Sequence, residues 1–189
     1  MDMTVFPLPL RTERLVLRPF VAEDFPSYAD YHSRQQVYQY LYTRPPAGYA
    51  LREQFNEVIN NVLADDGSAF HLAVTNESEE IVGEVILKLA NKEARQAEVG
   101  YIFHPEHAGK GYATEAVRAI IDLGFRHLDF HRIFARLDTQ NLGSVGVVER
   151  LGLRREAHLV ENDCFNGAWG DEYIYAILSR EWNQHHGPE

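Results

Sequence analysis

Gly109-Lys110-Gly111-Tyr112-Ala113-Thr114 stands between an alternating apolar run that ends at Phe103 and an amphipathic stretch that reaches His127. Two glycines two apart let a backbone turn tightly and let a ligand approach without meeting a Cβ. A helix starting there opens with free N–H groups and the positive end of its dipole, which suits a phosphate or pyrophosphate. Two established phosphate loops do not fit. A P-loop requires G-x-x-x-x-G-K-[ST], and Lys110-Gly111 has neither that spacing nor a hydroxyl after the lysine. A dinucleotide fingerprint needs a third glycine where Thr114 stands, after the first strand of a βαβ unit. What remains is a strand, a glycine turn and a helix in some other α/β setting, with the turn serving a ligand or only the chain reversal.

The surrounding pattern supplies that setting. Downstream, Ala113, Ala116, Val117, Ile120, Ile121 and Gly124 share one helical face over 111–127, opposite Glu115, Arg118, Asp122 and Arg126. A strand at 133–137, a helix at 144–151 and strands at 154–159 and 172–178 follow. Upstream, 69–75, 81–89 and 94–103 read as three strands joined by polar turns, hence antiparallel. Before them come a strand at 14–19, a helix from 22 to 31, an aromatic loop at 38–49, and a helix at 51–64 stopped by Asp65-Asp66-Gly67. The expectation is an α/β fold of the α+β type: a mixed, mostly antiparallel sheet of about seven strands flanked by helices.

With 189 residues, 45% of them apolar and 24% charged, the chain fits one globular domain, with a core over about 10–182 and a polar tail at 183–189. Eighteen Lys and Arg against 28 Asp and Glu give a net charge of −10, which argues against a nucleic-acid partner and mildly for a cationic substrate. The single Cys excludes a disulfide framework. No apolar run approaches the ~18–20 residues that cross a bilayer, and residues 1–10 lack the basic start of a signal peptide. A cytoplasmic location, as monomer or homodimer, is expected.

Several motifs taken in order resemble the GCN5-related N-acetyltransferases, and within them the Rim-type branch that acetylates protein N-termini. These are Thr12-Glu13-Arg14-Leu15-Val16-Leu17-Arg18-Pro19, Glu98-Val99-Gly100-Tyr101-Ile102-Phe103-His104-Pro105, the glycine turn, Asn141-Leu142-Gly143-Ser144, Glu149-Arg150-Leu151-Gly152-Leu153, and Asn166-Gly167 through Asp171. The resemblance spans nearly the whole chain. In the family signature Gln/Arg-x-x-Gly-x-Gly/Ala the last two fixed positions match Gly111 and Ala113. The first falls on Ala108, which brings no polar side chain; Lys110 is the nearby cation that could compensate.

The resemblance implies direct transfer of the acetyl group of acetyl-CoA to a primary amine, with no metal. The acceptor it suggests is a protein N-terminal α-amino group; the alternatives are a small amine (polyamine, amino sugar or amino-acid-like compound), or a non-catalytic acyl-CoA-binding module. Cofactor contacts are expected at Ile102, Phe103, His104, Ala108, Gly109, Lys110, Gly111, Tyr112, Ala113, Thr114, Asn141 and Ser144. A backbone N–H near Ile102–Phe103 would meet the oxyanion. Asn141 would bond the CoA arm, or cap the next helix. Ser144 would protonate the leaving thiolate, a task that a Tyr performs in many relatives. For the base, Glu98 shares a strand face with Gly100 and Ile102; Glu84 on the neighbouring strand is its rival, and a water chain is the third route.

Other residues are read more plainly. The nine histidines lack a third ligand in register for zinc. Cys164 is placed in a loop, as a buried or half-buried thiol without a catalytic task. Tyr38, Tyr40, Tyr42 and Tyr49 fall where the resemblance to Rim-type enzymes implies a substrate-side wall; the alternative is core packing.

Overall fold

The computed structural model describes residues 8–60 and 62–186. In chain order it contains β1 (Leu10–Arg11), β2 (Val16–Arg18), α1 (Phe25–His32), α2 (Gly48–Ile59), β3 (Ala69–Thr75), β4 (Ile81–Asn91), β5 (Gln96–Phe103), α3 (Tyr112–Arg126), β6 (Arg132–Asp138), α4 (Leu142–Arg150), β7 (Arg154–Phe165), β8 (Ala168–Leu178) and α5 (Ser179–His186). The eight strands form one sheet in the order β1-β2-β3-β4-β5-β6-β8-β7. Every neighbouring pair is antiparallel except β5 and β6, which run parallel. The expected mixed, mostly antiparallel sheet is present, with one strand more than counted because Leu10–Arg11 pairs with β2.

Period-two alternation divides the core between two faces. Phe70, Leu72 and Val74 of β3 and Val85, Leu87 and Leu89 of β4 are buried against Ala116, Val117, Ile120 and Ile121 of α3. On the other face Phe20, Tyr28, Tyr31, Leu51, Phe55 and Val58 form a second cluster on Ala73, built from α1 and α2. Each fully buried aliphatic side chain contributes about 1.5–3 kcal/mol, so both helical layers are anchored by many small terms. Residues 183–186, read as tail, are the second half of α5. That helix buries Trp182, whose indole N–H donates to Asp122 on α3 at 2.8 Å.

Three boundaries differ from expectation. Helix α2 starts earlier and ends at Ile59, leaving Val62 outside it and half-exposed. Strands β7 and β8 are longer, because Asn166 and Gly167 both take positive φ (53° and 81°) in a two-residue hairpin turn. Cys164 accordingly lies on the edge strand β7, and it is exposed.

The feature that shapes the site is the short contact of β5 with β6. Their pairing covers Gln96–Arg132, Ala97–Ile133 and Glu98–Phe134 and then stops, although β5 continues to Phe103 and β6 to Asp138. The ends of the two strands therefore border a wedge. Gly83 on β4 helps to hold it open: a Cβ there would stand 2.4 Å from the Ile102 carbonyl oxygen, so only glycine lets the end of β5 lie so close to β4.

Candidate active site

The glycine turn is locked by distant residues. Gly109 and Gly111 take φ of 77° and 81°, and Gly111 directly precedes α3. Arg14 donates through Nη1 to the Lys110 carbonyl oxygen (2.9 Å) and through Nε and Nη2 to Glu115 (2.8 and 2.6 Å). The Thr12 hydroxyl donates to the same carboxylate at 2.6 Å. Burial opposes the charge on Glu115, but these hydrogen bonds outweigh it and hold the carboxyl below its ordinary range. The one acid in the first turn of α3 is thus neutralised by Arg14, and the leading N–H groups remain available for an anion.

In the wedge, the free strand edge offers main-chain groups. His104 N–H donates to the Val82 carbonyl oxygen, and β4–β5 register runs unbroken from Gly83–Phe103 to Leu89–Ala97. Alternation then turns the amides of Ile102 and Gly100 toward β4, and those of Phe103 and Tyr101 toward the wedge. Of the two residues expected to present an N–H, it is Phe103 whose amide faces the opening. The Tyr101 hydroxyl donates across the wedge to the Ser144 carbonyl oxygen at 2.9 Å.

These groups surround a cleft of about 570 Å³. Ile102, Phe103, Ala108, Gly109, Gly111, Tyr112, Ala113, Thr114, Asn141 and Ser144, all expected at the cofactor, line it. Two expected residues do not. His104 is turned into the α1 side, with Nε2 2.8 Å from Asp30 and Nδ1 accepting from the Glu106 N–H. Lys110 reaches His107 instead (3.2 Å). Asn141 caps α4 through its carboxamide oxygen, which accepts from Ser144 N–H at 3.1 Å, and still borders the cleft.

The two carboxylates weighed as bases lie outside that lining. Glu98 is ion-paired with Arg136 at 3.1 Å, at the vertex where β5 leaves β6. Glu84 is 1% exposed and receives His32 Nε2 at 2.8 Å and His71 Nδ1 at 3.2 Å. Burial opposes its charge, and the hydrogen bonds and charge of the two histidines outweigh it, leaving the carboxyl well below its ordinary range. Glu84 thus lies buried under α1 with both carboxylate oxygens on histidines.

The acetyltransferase (GNAT) domain family matches residues 14–154. The chain belongs to the GNAT acetyltransferases. The uncharacterized N-acetyltransferase YnaD of Bacillus subtilis is 32% identical over 174 residues, 92% of this chain and 99% of YnaD. A GNAT-family acetyltransferase of Bacillus anthracis superposes with a TM-score of 0.82 at 29% identity, over 91% of this chain and 99% of its own. Spermidine N-acetyltransferase of Vibrio cholerae, solved with CoA and spermine, superposes with a TM-score of 0.79 at 26% identity, over 90% and 99%. The protein is an acetyl-CoA-dependent acetyltransferase.

For a GNAT acetyltransferase the anionic co-substrate needs cations, and the sequence motif with Ala108 left their source open. Arg150, at the end of α4, lines the cleft with its Nε 3.4 Å from the Thr114 hydroxyl. From Gly111, Thr114 and Arg150 a second concavity of about 810 Å³ runs along α3, bordered by Arg11 and Arg118, by Arg14 and Arg126 in ion pairs with Glu115 and Asp122, and by Glu13. These side chains come from three segments far apart in sequence. The donor set fits an anion: free helical N–H groups, a Cβ-free turn and arginines. Among the described residues, no group of three or more His, Cys, Asp or Glu side chains could hold a metal ion, and no helix is long and apolar enough to cross a membrane.

The opposite face of the same acetyltransferase is acidic. Asp138 on β6 and Glu172 on β8 are direct cross-strand partners, an arrangement of like charges that costs stability. Burial raises the Glu172 carboxyl; Arg136 opposes the rise, and Glu98 and Asp163 add to it. Over this wall runs the segment between α1 and α2, which sends Gln36, Val37, Tyr40 and Leu41 to the cleft. The aromatic stretch divides: Tyr38 is core, with its hydroxyl on His32 Nδ1 at 2.7 Å, Tyr40 lines the cleft, Tyr42 bonds Asp138 at 2.5 Å, and Tyr49 is exposed.

Proposed function

We propose that this acetyltransferase acts on a primary amine of a polycationic acceptor of the polyamine type. The observation that carries this reading is the opposed pair Asp138–Glu172, with Glu98 and Asp163 beside it and Arg136 as the countercharge. Like charges placed face to face, under the segment that borders the cleft, are relieved by a cation, and an acceptor with several ammonium groups supplies more than one. The spermidine N-acetyltransferase named above, similar over nearly its full length, supports the same acceptor class.

The chemistry follows from the groups in place. An ammonium has no lone pair, so the attacking amine must first give up a proton. Among the carboxylates of the wall Glu172 takes a proton most readily, because its carboxyl is raised, and it does so through water, since it does not line the cleft. The free amine attacks the thioester carbonyl, and the Phe103 N–H meets the oxygen as charge develops. The carbon–sulfur bond then breaks; the thiolate takes the Ser144 hydroxyl proton, Ser144 recovers one from the nitrogen of the collapsing adduct, and the neutral acetylated amine and CoA leave. A protein N-terminus is the second reading, supported by the Rim-type motifs around Arg14 and Ser144.

An acceptor panel decides between them: spermidine, a monoamine of equal length, amino sugars and N-terminal peptides, with thiol release followed and products identified by mass spectrometry. The polyamine reading expects kcat/KM for spermidine above that for the monoamine. Faster acetylation of N-terminal peptides than of spermidine overturns it.

A further inference from the structure

The segment that follows α1 does not end at the cleft but crosses it. Gln36, Val37, Tyr40 and Leu41 border the cleft together with the free end of β5, and the next residue, Tyr42, is fastened to β6 and β8 on the far side. Its hydroxyl donates to Asp138 Oδ2 at 2.5 Å. Tyr42 is a bulky residue held at φ 51°, a region that such side chains seldom occupy. Arg44 adds a second fastening to the β7–β8 hairpin through Asn166 Oδ1 at 3.3 Å.

The seat of Tyr42 is made by Gly170. A Cβ built on Gly170 would stand 1.9 Å from the Tyr42 hydroxyl oxygen and 2.6 Å from its Cζ. Gly170 lies within β8, paired with Asp163, at a φ open to any residue. The strand backbone therefore places no demand for glycine there; the Tyr42 ring does.

We propose that Tyr42 is a positioning residue for the acceptor: a strut that fixes the α1–α2 segment across the wedge, with Gly170 left bare of a side chain to seat it. The proposal rests on the reading that the acidic wall is the acceptor side. Held by the strut, the segment covers the wall at Asp138 and sets the width through which an amine reaches the thioester. Without it, the acceptor loses alignment while the glycine turn and α3, on the other face, keep their hold on CoA.

Gly170→Ala tests this from the side opposite Tyr42, on a backbone that accepts alanine. Wild type, Tyr42→Ala, Gly170→Ala and the double variant are compared by steady-state kinetics with spermidine and by amide hydrogen exchange over residues 36–47. Each single variant is expected to raise the acceptor KM about tenfold, to leave the acetyl-CoA KM within about twofold, and to speed exchange in the segment; the double variant should be no worse than Tyr42→Ala alone. Independent, multiplying effects overturn the strut, as does a Gly170→Ala variant that matches wild type. If wild type does not acetylate spermidine, the polyamine reading fails by itself, and hydrogen exchange still decides the strut: unchanged exchange in both single variants overturns it.

Discussion

The hydroxyl of Tyr101 on β5 donates to the carbonyl oxygen of Ser144 in the first turn of α4, 2.9 Å away, and ties the two sides of the wedge together. Burial raises the Tyr101 hydroxyl far above its ordinary value, so it stays a neutral donor. Its proton is committed to a carbonyl, in keeping with the proposal that the Ser144 side chain serves the thiolate.

Tyr101→Phe removes only that tie. The expected loss is about 1 kcal/mol of unfolding free energy, the net worth of one hydrogen bond. A several-fold weaker affinity for CoA should accompany it, because the wedge loses its fixed width. Denaturant unfolding and calorimetric CoA titration read the two effects separately; a variant with normal affinity would make the tie purely structural.

Ser144→Ala should lower kcat more than it raises the KM for acetyl-CoA, since the Asn141 cap bonds the backbone N–H of residue 144 and survives the change. The reverse split would make the hydroxyl a binding contact.

Gly111→Val places a β-branched residue at φ 81°, with its Cβ 3.4 Å from Arg14 Nη2. Strain of about 1–3 kcal/mol is expected, together with loss of measurable CoA binding as the first turn of α3 shifts. Undiminished affinity by titration would refute the turn as the phosphate site.

Arg150→Ala should weaken CoA binding about tenfold and flatten its salt dependence, whereas Lys110→Ala should have little effect. Titrations at two ionic strengths check this. Equal losses in both variants would restore Lys110 to the site.

Glu84→Gln tests the carboxylate under α1. Folding lowers this carboxyl from its ordinary 4.5, so its stabilisation is complete above that value and is lost as pH falls through the folded one. Wild type should therefore lose stability steeply below pH 4.5. The variant should be less stable at neutral pH by about 3 kcal/mol, because the buried His32 and the half-buried His71 lose their carboxylate, and its acid limb should be shallower. Parallel acid limbs would contradict the assignment.

What the sequence disclosed follows the range of each interaction. Alternation in 69–75 and 81–89 and the helical stripe from Ala113 to Gly124 are local, and they place the central sheet and α3 almost to the residue. The glycine turn is local too, and the cofactor contacts that the family pattern marked line the cleft, His104 and Lys110 excepted. Arg14 bonding Glu115, Arg150 at the cleft and Asp138 facing Glu172 join segments 34 to 101 positions apart, and no spacing rule marks such pairs. The β7–β8 hairpin was cut short because β7 is an edge strand exposed on both faces, without the alternation that betrays a buried strand. Its Asn166-Gly167 turn was the signal present in the sequence. Helix α2 was displaced because Val62 mimics its apolar stripe while lying outside it.

The parting of β5 from β6 after three pairs turns the Tyr101 and Phe103 amides toward the wedge and not toward a neighbouring strand. Whatever fills the wedge completes the sheet, and a compound that binds only the folded chain raises its resistance to unfolding in step with its concentration. A CoA thioester seated in the wedge is therefore expected to act as a fastener between two strands as well as a reactant, and thermal unfolding at rising acetyl-CoA concentration reads that effect.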